Sequence, residues 1–444
     1  MPSHARSASA STGLGGIAQR LFVALLVLAP LPLGGNEPLA WHGFALVTGL
    51  CLLLLALDPK ATPPRLVPPA LHVMVVGGLV LCWITFQGLN GLPQGWAHPA
   101  WEGLEREMVG AAPGRAIDSL VLAATAIGGF WMGLQKGRSS RALAVLIIGN
   151  AAVAALAMAA LITPVPPALS WLNEAYPDDA TGPFVSRNSF GAYAVIGLIM
   201  ALGLTRHRLR AGGGPLIQRL DDSWWLAAAI ALLAAAIVSS HSRGAWLSLI
   251  CALIAFWLPH WTGDRRKRGP YGPAPVAFPL FLAVIAGVWL LLASTATLVR
   301  FADGGWQGRF EIWQITWEMI LARPLLGHGA GAFAYLFPGF AGTRLTGWYD
   351  NPHNLYLTWA AAFGLPMAAL CVGVAFLAVV GVLRARPVSA EAALDLAIAR
   401  GALVAAAVHS LMDNAYETPA ISLLIAWLTG RAMRALGRAP PGAP

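Results

Sequence analysis

The sequence predicts an all-α integral membrane protein, because its composition and its hydrophobic pattern agree on that class. Of the 444 residues, 57% are hydrophobic and only 11% are charged, whereas a soluble domain carries about 25% charged residues. Apolar runs of about 20 residues recur along the chain, and each is long enough to cross a bilayer as a helix. The runs are apolar on every face, as in Leu226 to Val238, so they do not show the alternation of barrel strands. A soluble enzyme and a transmembrane barrel are therefore excluded.

The chain is predicted to cross the membrane about twelve times. The first apolar run follows basic residues and is interpreted as a retained signal anchor, since further spans come after it. The predicted helices begin near residues 20, 39, 68, 115, 142, 189, 222, 244, 275, 355, 399 and 419. The predicted segments are a disordered cytoplasmic N-terminus (1–19), nine spans (20–299), a long outer loop (300–354), three spans (355–436) and a cytoplasmic tail (437–444).

The distribution of basic residues sets the orientation. With a cytoplasmic N-terminus, 21 of the 29 Lys and Arg residues fall inside and 8 outside, as the positive-inside rule requires. This asymmetry accounts for the net charge of +9 without a nucleic acid partner. The longer connections lie outside, at residues 87–114, 163–187 and 300–352. In the longest, Phe310, Trp313, Trp317 and Ile320 recur at helical spacing, which predicts a helix in the membrane interface or an ordinary aromatic belt.

Three candidate site residues mark the outer starts of predicted helices: Arg187, Arg243 and His353. A helix N-terminus carries unpaired N–H groups and about half a positive charge, so several together would hold a phosphate or pyrophosphate. Arginine adds bidentate phosphate contacts. Asn351 is the predicted N-cap and Pro352 the first helical residue, which would place His353 in the first turn as a neutral proton acceptor.

Plainer interpretations stay open for each candidate. An outer arginine can be a headgroup anchor, and the stretch around His353 can be only a helix cap. Arg309 can join a phosphate site, or it can pair with Glu311 or a lipid phosphate. His409 and Asp413 are four residues apart on one helix face, so they can support the site or simply satisfy each other.

Neither a metal nor a cofactor is predicted. The acidic residues outside, namely Glu102, Glu105, Glu107, Asp178 and Asp179, are interpreted as solvated loop charges, because their spacing demands no cation. His241 and His328 are interpreted as structural. The chain has no Walker A loop, dinucleotide fingerprint or Gly-x-Ser-x-Gly elbow. Any driving energy must therefore arrive with the substrate.

Five short motifs share a family pattern. They are Phe184–Asn188 (FVSRN), Ser242–Trp246 (SRGAW), Gly308–Phe310 (GRF), Arg323–Gly329 (RPLLGHG) and His353–Leu357 (HNLYL). In this order the motifs resemble the O-antigen ligase and polymerase group of polytopic membrane glycosyltransferases. The last two, in the long outer loop, are the most specific. The resemblance covers about residues 180 to 430.

The resemblance implies a GT-C-like glycosyltransferase in the bacterial inner membrane with a periplasmic active site. Its donor would be a glycan linked to undecaprenyl pyrophosphate, used with inversion and without metal or ATP. Arg187, Arg243 and Arg309 would bind the pyrophosphate. His353 would be the general base on the acceptor hydroxyl, or would orient it. The further residues expected to bind substrate are Asn188, Asn354, Arg323, His409 and Asp413.

The acceptor is the open question within this family. A ligase with lipid A-core as acceptor is favoured, because the chain is compact and shows no large domain for a protein acceptor. The alternatives are an O-antigen polymerase and a protein O-oligosaccharyltransferase. An anion transporter belongs to a different class and would carry charges or broken helices near the membrane midplane. The predicted spans are almost free of such charges.

Overall fold

All regular secondary structure in the described part of the chain is helical. The computed structural model describes residues 13–90, 95–102, 104, 107–135, 139–163, 176–211, 215–257, 307–345 and 347–437. The span predicted near residue 275 lies outside these ranges, as do residues 1–12 of the predicted N-terminal segment and residues 438–444 of the predicted tail. The all-α prediction is confirmed for the residues described.

The described helices follow one another from α1 to α15. They are α1 (Leu14–Leu28), α2 (Pro38–Ala56), α3 (Pro68–Gln87), α4 (Pro113–Leu134), α5 (Ser139–Ile162), α6 (Arg187–Ala211), α7 (Leu216–Asp221), α8 (Trp224–Ser239), α9 (Arg243–Trp257), α10 (Gln307–Ala322), α11 (Phe333–Ala341), α12 (Leu355–Phe363), α13 (Leu365–Arg384), α14 (Ala390–His409) and α15 (Pro419–Leu436). Several of them begin with proline, which suits the first helical turn because it needs no N–H donor there.

Seven of the described helices are long and apolar enough to cross a membrane: α2, α3, α4, α5, α6, α13 and α14. Three shorter ones, α1, α8 and α9, are also apolar. The total of twelve spans therefore stays a prediction, whereas a multi-pass membrane protein is supported by these helices.

Three predicted boundaries differ from the structure. The first helix begins at Leu14, inside the segment predicted to be disordered up to residue 19. The span predicted from residue 355 is two helices, α12 and α13, because Gly364 adopts φ +80° between them. A side chain at that glycine would also collide with the backbone of Leu325, so the chain turns where only glycine fits. The span predicted from residue 399 begins earlier, at Ala390, where the Ser389 hydroxyl accepts a hydrogen bond from the Ala392 N–H. The acidic residues in its first turns lower the local hydropathy, so the apolar pattern placed the start too late.

Helix α6 is the centre of the bundle, and α5, α8, α9 and α14 pack around it. The contact between α4 and α15 closes another side of the bundle through two glycines. A Cβ on Gly133 would collide with the backbone of Trp427, and a Cβ on Gly430 would collide with the backbone of Phe130. Small residues let membrane helices approach this closely. Within lipid there is no hydrophobic driving force between helices, so van der Waals contacts of this kind stabilise their association.

The helix predicted in the long outer loop is present as α10. Ile312, Ile315 and Met319 face inward and pack with Phe333 and Phe337 of α11. Phe310 and Trp317, from the predicted series, are exposed, whereas Ile320 from the same series is buried. The exposed aromatic side chains fit a helix at a membrane surface, and that placement stays a prediction.

Candidate functional site

The residues predicted at three separate helix starts meet at one end of the bundle. Arg187 begins α6, Arg243 begins α9, and His353 directly precedes the N-cap of α12. The turn after α14 brings Asp413 into contact with the same group. Residues that lie far apart in the sequence therefore form one cluster, as the sequence predicts.

Asp413 is the hub of this cluster, and its side chain is only 9% exposed. Its Oδ2 atom accepts a hydrogen bond from Asn188 Nδ2 at 2.5 Å and contacts His353 Nδ1 at 3.3 Å. Arg309 Nη2 lies 4.0 Å from the same oxygen. Ser242, the residue before α9, donates its hydroxyl to Asn188 Oδ1 at 2.8 Å. One carboxylate thus connects α6, α10 and the segment before α12, and Asn188 extends the network to α9.

The ionisation of Asp413 follows from these neighbours. Burial alone would raise its pKa, but the hydrogen bond from His353, the electrostatic interactions with His409 and His353, and the positive charge of Arg309 hold the pKa below its ordinary value. An ionised carboxylate can only accept hydrogen bonds, so His353 Nδ1 must carry the proton between them. The Nε2 atom of a neutral His353 is then the proton acceptor.

Arg187 and Arg243 both lie within electrostatic range of Arg309. Burial and the positive charges of Arg243 and Arg187 lower the pKa of Arg309, while Asp413 opposes that shift. Arg309 Nη1 donates to the Met412 carbonyl at 2.7 Å, which fixes its guanidinium beside the α14 end. The repulsion between these positive charges costs free energy, and a bound anionic ligand would reduce that repulsion.

Asp179 and His241 belong to the wall of the site, which the sequence interpretation missed. Asp179 is buried at 2% exposure, and its Oδ2 accepts a hydrogen bond from Arg187 Nη1 at 2.7 Å. His241 Nδ1 lies 2.7 Å from Asp179 Oδ1. The prediction that Asp179 is a solvated loop charge was therefore wrong, although its neighbour Asp178 is exposed. The sequence offered one indication of this pairing: Asp179 lies eight residues before a predicted helix that starts with arginine.

His353 does not lie inside the helix that the sequence predicts. The N-cap of α12 is Asn354, whose Oδ1 accepts from the N–H groups of Tyr356 and Leu357. Asn351 Oδ1 instead accepts from the His353 N–H at 2.9 Å, which forms a turn before the helix. His353 has φ +52°, a left-handed conformation that is uncommon for a side-chain-bearing residue. Strain of this kind is found at functional sites when the surroundings enforce it.

Asn354 and His409 have different surroundings from the rest of the cluster. Asn354 uses its oxygen for the cap and donates through Nδ2 to the Leu411 carbonyl at 3.1 Å. His409 is fully buried against Gly244, and among the described residues neither ring nitrogen has a hydrogen-bond partner. The alternative that His409 and Asp413 satisfy each other by a hydrogen bond is thus not what the structure shows.

Arg323 lies in a separate contact network. Its guanidinium donates to the carbonyls of Gly327, Ala97 and Trp96 at 3.1, 2.9 and 2.9 Å. Close by, His328 Nε2 lies 2.7 Å from the Met319 carbonyl, and His328 Nδ1 lies 2.9 Å from the Nε2 atom of the buried His98. The motif from Arg323 to Gly329 therefore joins the first outer loop to the long one, which supports a structural role for His328.

A cavity of about 640 Å³ lies beside the cluster. Apolar side chains of α3, α4, α12, α13, α14 and α15 form most of its wall, and the polar residues that line it include Asp350, Asn351 and Glu417. The described residues contain no group of three or more His, Cys, Asp or Glu side chains arranged to hold a metal ion.

Comparison with known proteins identifies one family. A family model described as O-antigen ligase matches residues 228–372, a range that includes Arg243, Arg309, Arg323 and His353. The match confirms the resemblance over a range that holds four of the five motifs, while Phe184–Asn188 lies outside it. No curated protein matches the chain.

Proposed function

We propose that this protein is an O-antigen ligase of the bacterial inner membrane, because residues 228–372 match a family model described as O-antigen ligase. It transfers O-antigen polysaccharide from undecaprenyl pyrophosphate to lipid A-core on the periplasmic side. The observation that carries the proposal is the meeting of Arg187, Arg243 and Arg309 beside His353 and Asp413. A cationic group next to a proton acceptor is what glycosyl transfer from a pyrophosphate needs.

The arginines bind the donor through its pyrophosphate. Negative charge develops on the leaving oxygen as the bond to the anomeric carbon breaks, and fixed cationic donors stabilise that charge in a poorly hydrated site. The N-termini of α6 and α9 add their partial positive charge at the same place. Cleavage of the bond between the anomeric carbon and the pyrophosphate supplies the driving energy, so the reaction uses no ATP. The arginines stabilise the leaving pyrophosphate in place of a metal ion.

His353 acts on the acceptor hydroxyl. With its Nδ1 proton held by Asp413, its Nε2 atom accepts the proton, or a hydrogen bond, from the attacking hydroxyl. The acceptor oxygen forms the new bond on the face opposite the departing pyrophosphate. A single displacement of this kind inverts the configuration at the anomeric carbon.

The remaining predicted residues support these groups. Asn188 holds Asp413 and the start of α9 in place through its two side-chain hydrogen bonds. Asn354 fixes the start of α12, and Arg323 fixes the wall of the outer loops. His409 fills the space behind Gly244 next to Asp413, where it adds to the electrostatic field of the cluster.

A reconstituted assay tests the proposal. Purified protein in liposomes is given undecaprenyl-pyrophosphate-linked glycan and lipid A-core, with EDTA and without nucleotide, and products are separated by gel. Glycan on lipid A-core is the expected result. A ladder of longer polyprenol-linked chains without transfer to lipid A-core would mark a polymerase, and transfer only to a protein acceptor would mark an oligosaccharyltransferase.

The His353→Ala variant connects the activity to the site. It should insert and purify normally and lose transfer by about 10²-fold or more, because the residue that contacts the attacking hydroxyl is removed. His42→Ala is the control, since His42 is exposed near the start of α2. Full activity in His353→Ala would overturn the assignment of this residue.

A further inference from the structure

The turn that carries Asp413 also presents a second carboxylate, Glu417, to the neighbouring cavity. Ala415, Tyr416 and Thr418 around it are buried, whereas the Glu417 side chain is exposed at the cavity wall. None of the three arginines is among the described residues that line this cavity, and neither His353 nor Asp413 is among them. The turn thus offers one carboxylate to the arginine cluster and another to the cavity.

The segment before α12 also has some residues at the arginine cluster and others at the cavity. His353 contacts Asp413, while Asp350 and Asn351 line the cavity with Glu417. Asn351 joins the two sides, because its Oδ1 accepts from the His353 N–H. The polar end of the cavity is therefore connected through Asn351 to the residue proposed to act on the acceptor.

Glu417 is held in position by donors. Asn414 Nδ2 donates to Glu417 Oε2 at 2.9 Å and lies 2.7 Å from Thr358 Oγ1, and the Trp359 side chain also hydrogen-bonds to the carboxylate. These contacts fix the direction of the side chain at the cavity wall. A fixed carboxylate at the end of an apolar cavity is an acceptor for a hydroxyl group.

The charge at the polar end of the cavity indicates which of the two substrates, the pyrophosphate-linked donor or the glycolipid acceptor, the cavity suits. Two carboxylates, Asp350 and Glu417, would repel a pyrophosphate. Sugar hydroxyls instead donate hydrogen bonds to carboxylates, and the apolar walls fit hydrocarbon chains. The polar end of the cavity consequently suits a glycolipid that presents a hydroxyl, and the arginine cluster suits the donor.

We propose that this cavity binds the acceptor glycolipid and that Glu417 is a catalytic residue that takes the proton of its attacking hydroxyl. This inference rests on the proposed function. The acceptor O–H bond breaks, its oxygen bonds to the anomeric carbon, and the bond from that carbon to the pyrophosphate breaks. The proton goes to the Glu417 carboxylate, and the pyrophosphate leaves with its electron pair. His353 then orients the hydroxyl rather than deprotonating it.

The surroundings of Glu417 adjust its basicity to this role. Poor solvation at the apolar cavity, together with the charge of Asp350, raises the pKa of Glu417 to about 7, although the Asn414 and Trp359 hydrogen bonds lower it. The titratable residues that line the cavity are His328, Asp350, Tyr356, Cys371, Tyr416 and Glu417, and His409 lies behind Tyr416 with ring centroids 6.0 Å apart. A base with a pKa near the working pH is the most effective proton acceptor.

The test uses full-length protein in liposomes and two substitutions, Glu417→Gln and Glu417→Ala. Both should lower kcat for transfer by about 10²-fold or more, while binding of undecaprenyl-pyrophosphate-linked glycan, measured separately, stays unchanged. Sodium formate should restore part of the Glu417→Ala activity, and sodium chloride at the same ionic strength should not. Glu318→Gln is the control, because Glu318 is an exposed carboxylate paired with Arg344.

The outcomes separate this inference from the proposed function. If wild-type protein transfers glycan and Glu417→Gln does so at the same rate, Glu417 is not the proton acceptor although the ligase function holds. Weaker donor binding in Glu417→Gln would place the donor in the cavity and overturn the inference as well. If both variants fail to fold, Glu417→Asp decides: it should retain the fold and lose kcat, and an unchanged kcat contradicts the role.

Discussion

Asp413→Asn should slow transfer without weakening donor binding. The substitution keeps the size of the side chain and removes its charge. In the native site the ionised carboxylate accepts from His353 Nδ1, which leaves Nε2 as the acceptor. A neutral amide can turn its NH₂ group towards Nδ1, so His353 can move its proton to Nε2 and lose the ability to accept a hydrogen bond there.

The size of the effect follows from the contact that is lost. A hydrogen bond to a charged group contributes about 1.5–3 kcal/mol, and about 1.36 kcal/mol corresponds to a factor of ten in rate. We therefore expect kcat to fall about 10- to 150-fold. The Arg309 guanidinium lies 4.0 Å from Asp413. Loss of the negative charge leaves the arginine cluster more positive, so KM for the donor should stay constant or fall.

The assay is the liposome reaction with separate titrations of donor and acceptor. Asp118→Asn is the matched control, because Asp118 pairs at 3.5 Å with Arg115 on α4 and lies outside the cluster. An unchanged kcat in Asp413→Asn would falsify the role of the carboxylate in fixing His353. A raised donor KM with normal kcat would instead show that Asp413 serves donor binding alone.

Two further predictions concern one arginine and one glycine. Arg243→Lys should retain the charge but lose most transfer activity, by about tenfold or more, because an ammonium cannot make the bidentate phosphate contact; near-normal donor KM and kcat would make Arg243 a membrane anchor. Gly430→Ala should lower the free energy of unfolding by about 1–3 kcal/mol, as overpacking does, because its Cβ would collide with the Phe130 backbone. Thermal unfolding in detergent checks this against Gly43→Ala on α2, where nothing lies within 4 Å of the new Cβ; equal melting temperatures would contradict the predicted collision.

The sequence was sufficient for the helices and for the cationic part of the site. Long apolar runs determine α2 to α6 by hydropathy alone, and Arg187 and Arg243 stand out because charges are rare in such a chain. The long outer loop also contained its helix α10 at the predicted place. These features are local, so a pattern in the sequence can record them.

The acidic half of the site depended on long-range contacts. Asp179 resembles any loop carboxylate until α6 brings Arg187 against it, and Glu417 was not singled out because its cavity is formed by helices from distant parts of the chain. The turn at His353 was mistaken for a helix start, since Asn351 and Asn354 are both acceptable caps by residue type. The segment packs on the end of α14, where the Leu355 N–H donates to the Ser410 carbonyl. This contact determines that Asn354, and not Asn351, is the N-cap.

The glycine contact between α4 and α15 has a consequence for biogenesis. Helix α4 is synthesised long before α15. The close contact between Gly133 and Gly430 can therefore form only after α15 has entered the membrane. The turn with Asp413 and Glu417 immediately precedes α15 and is ordered by the same docking step. Both carboxylates therefore reach their positions only after synthesis has passed α15, and partly translated chains lack the assembled site.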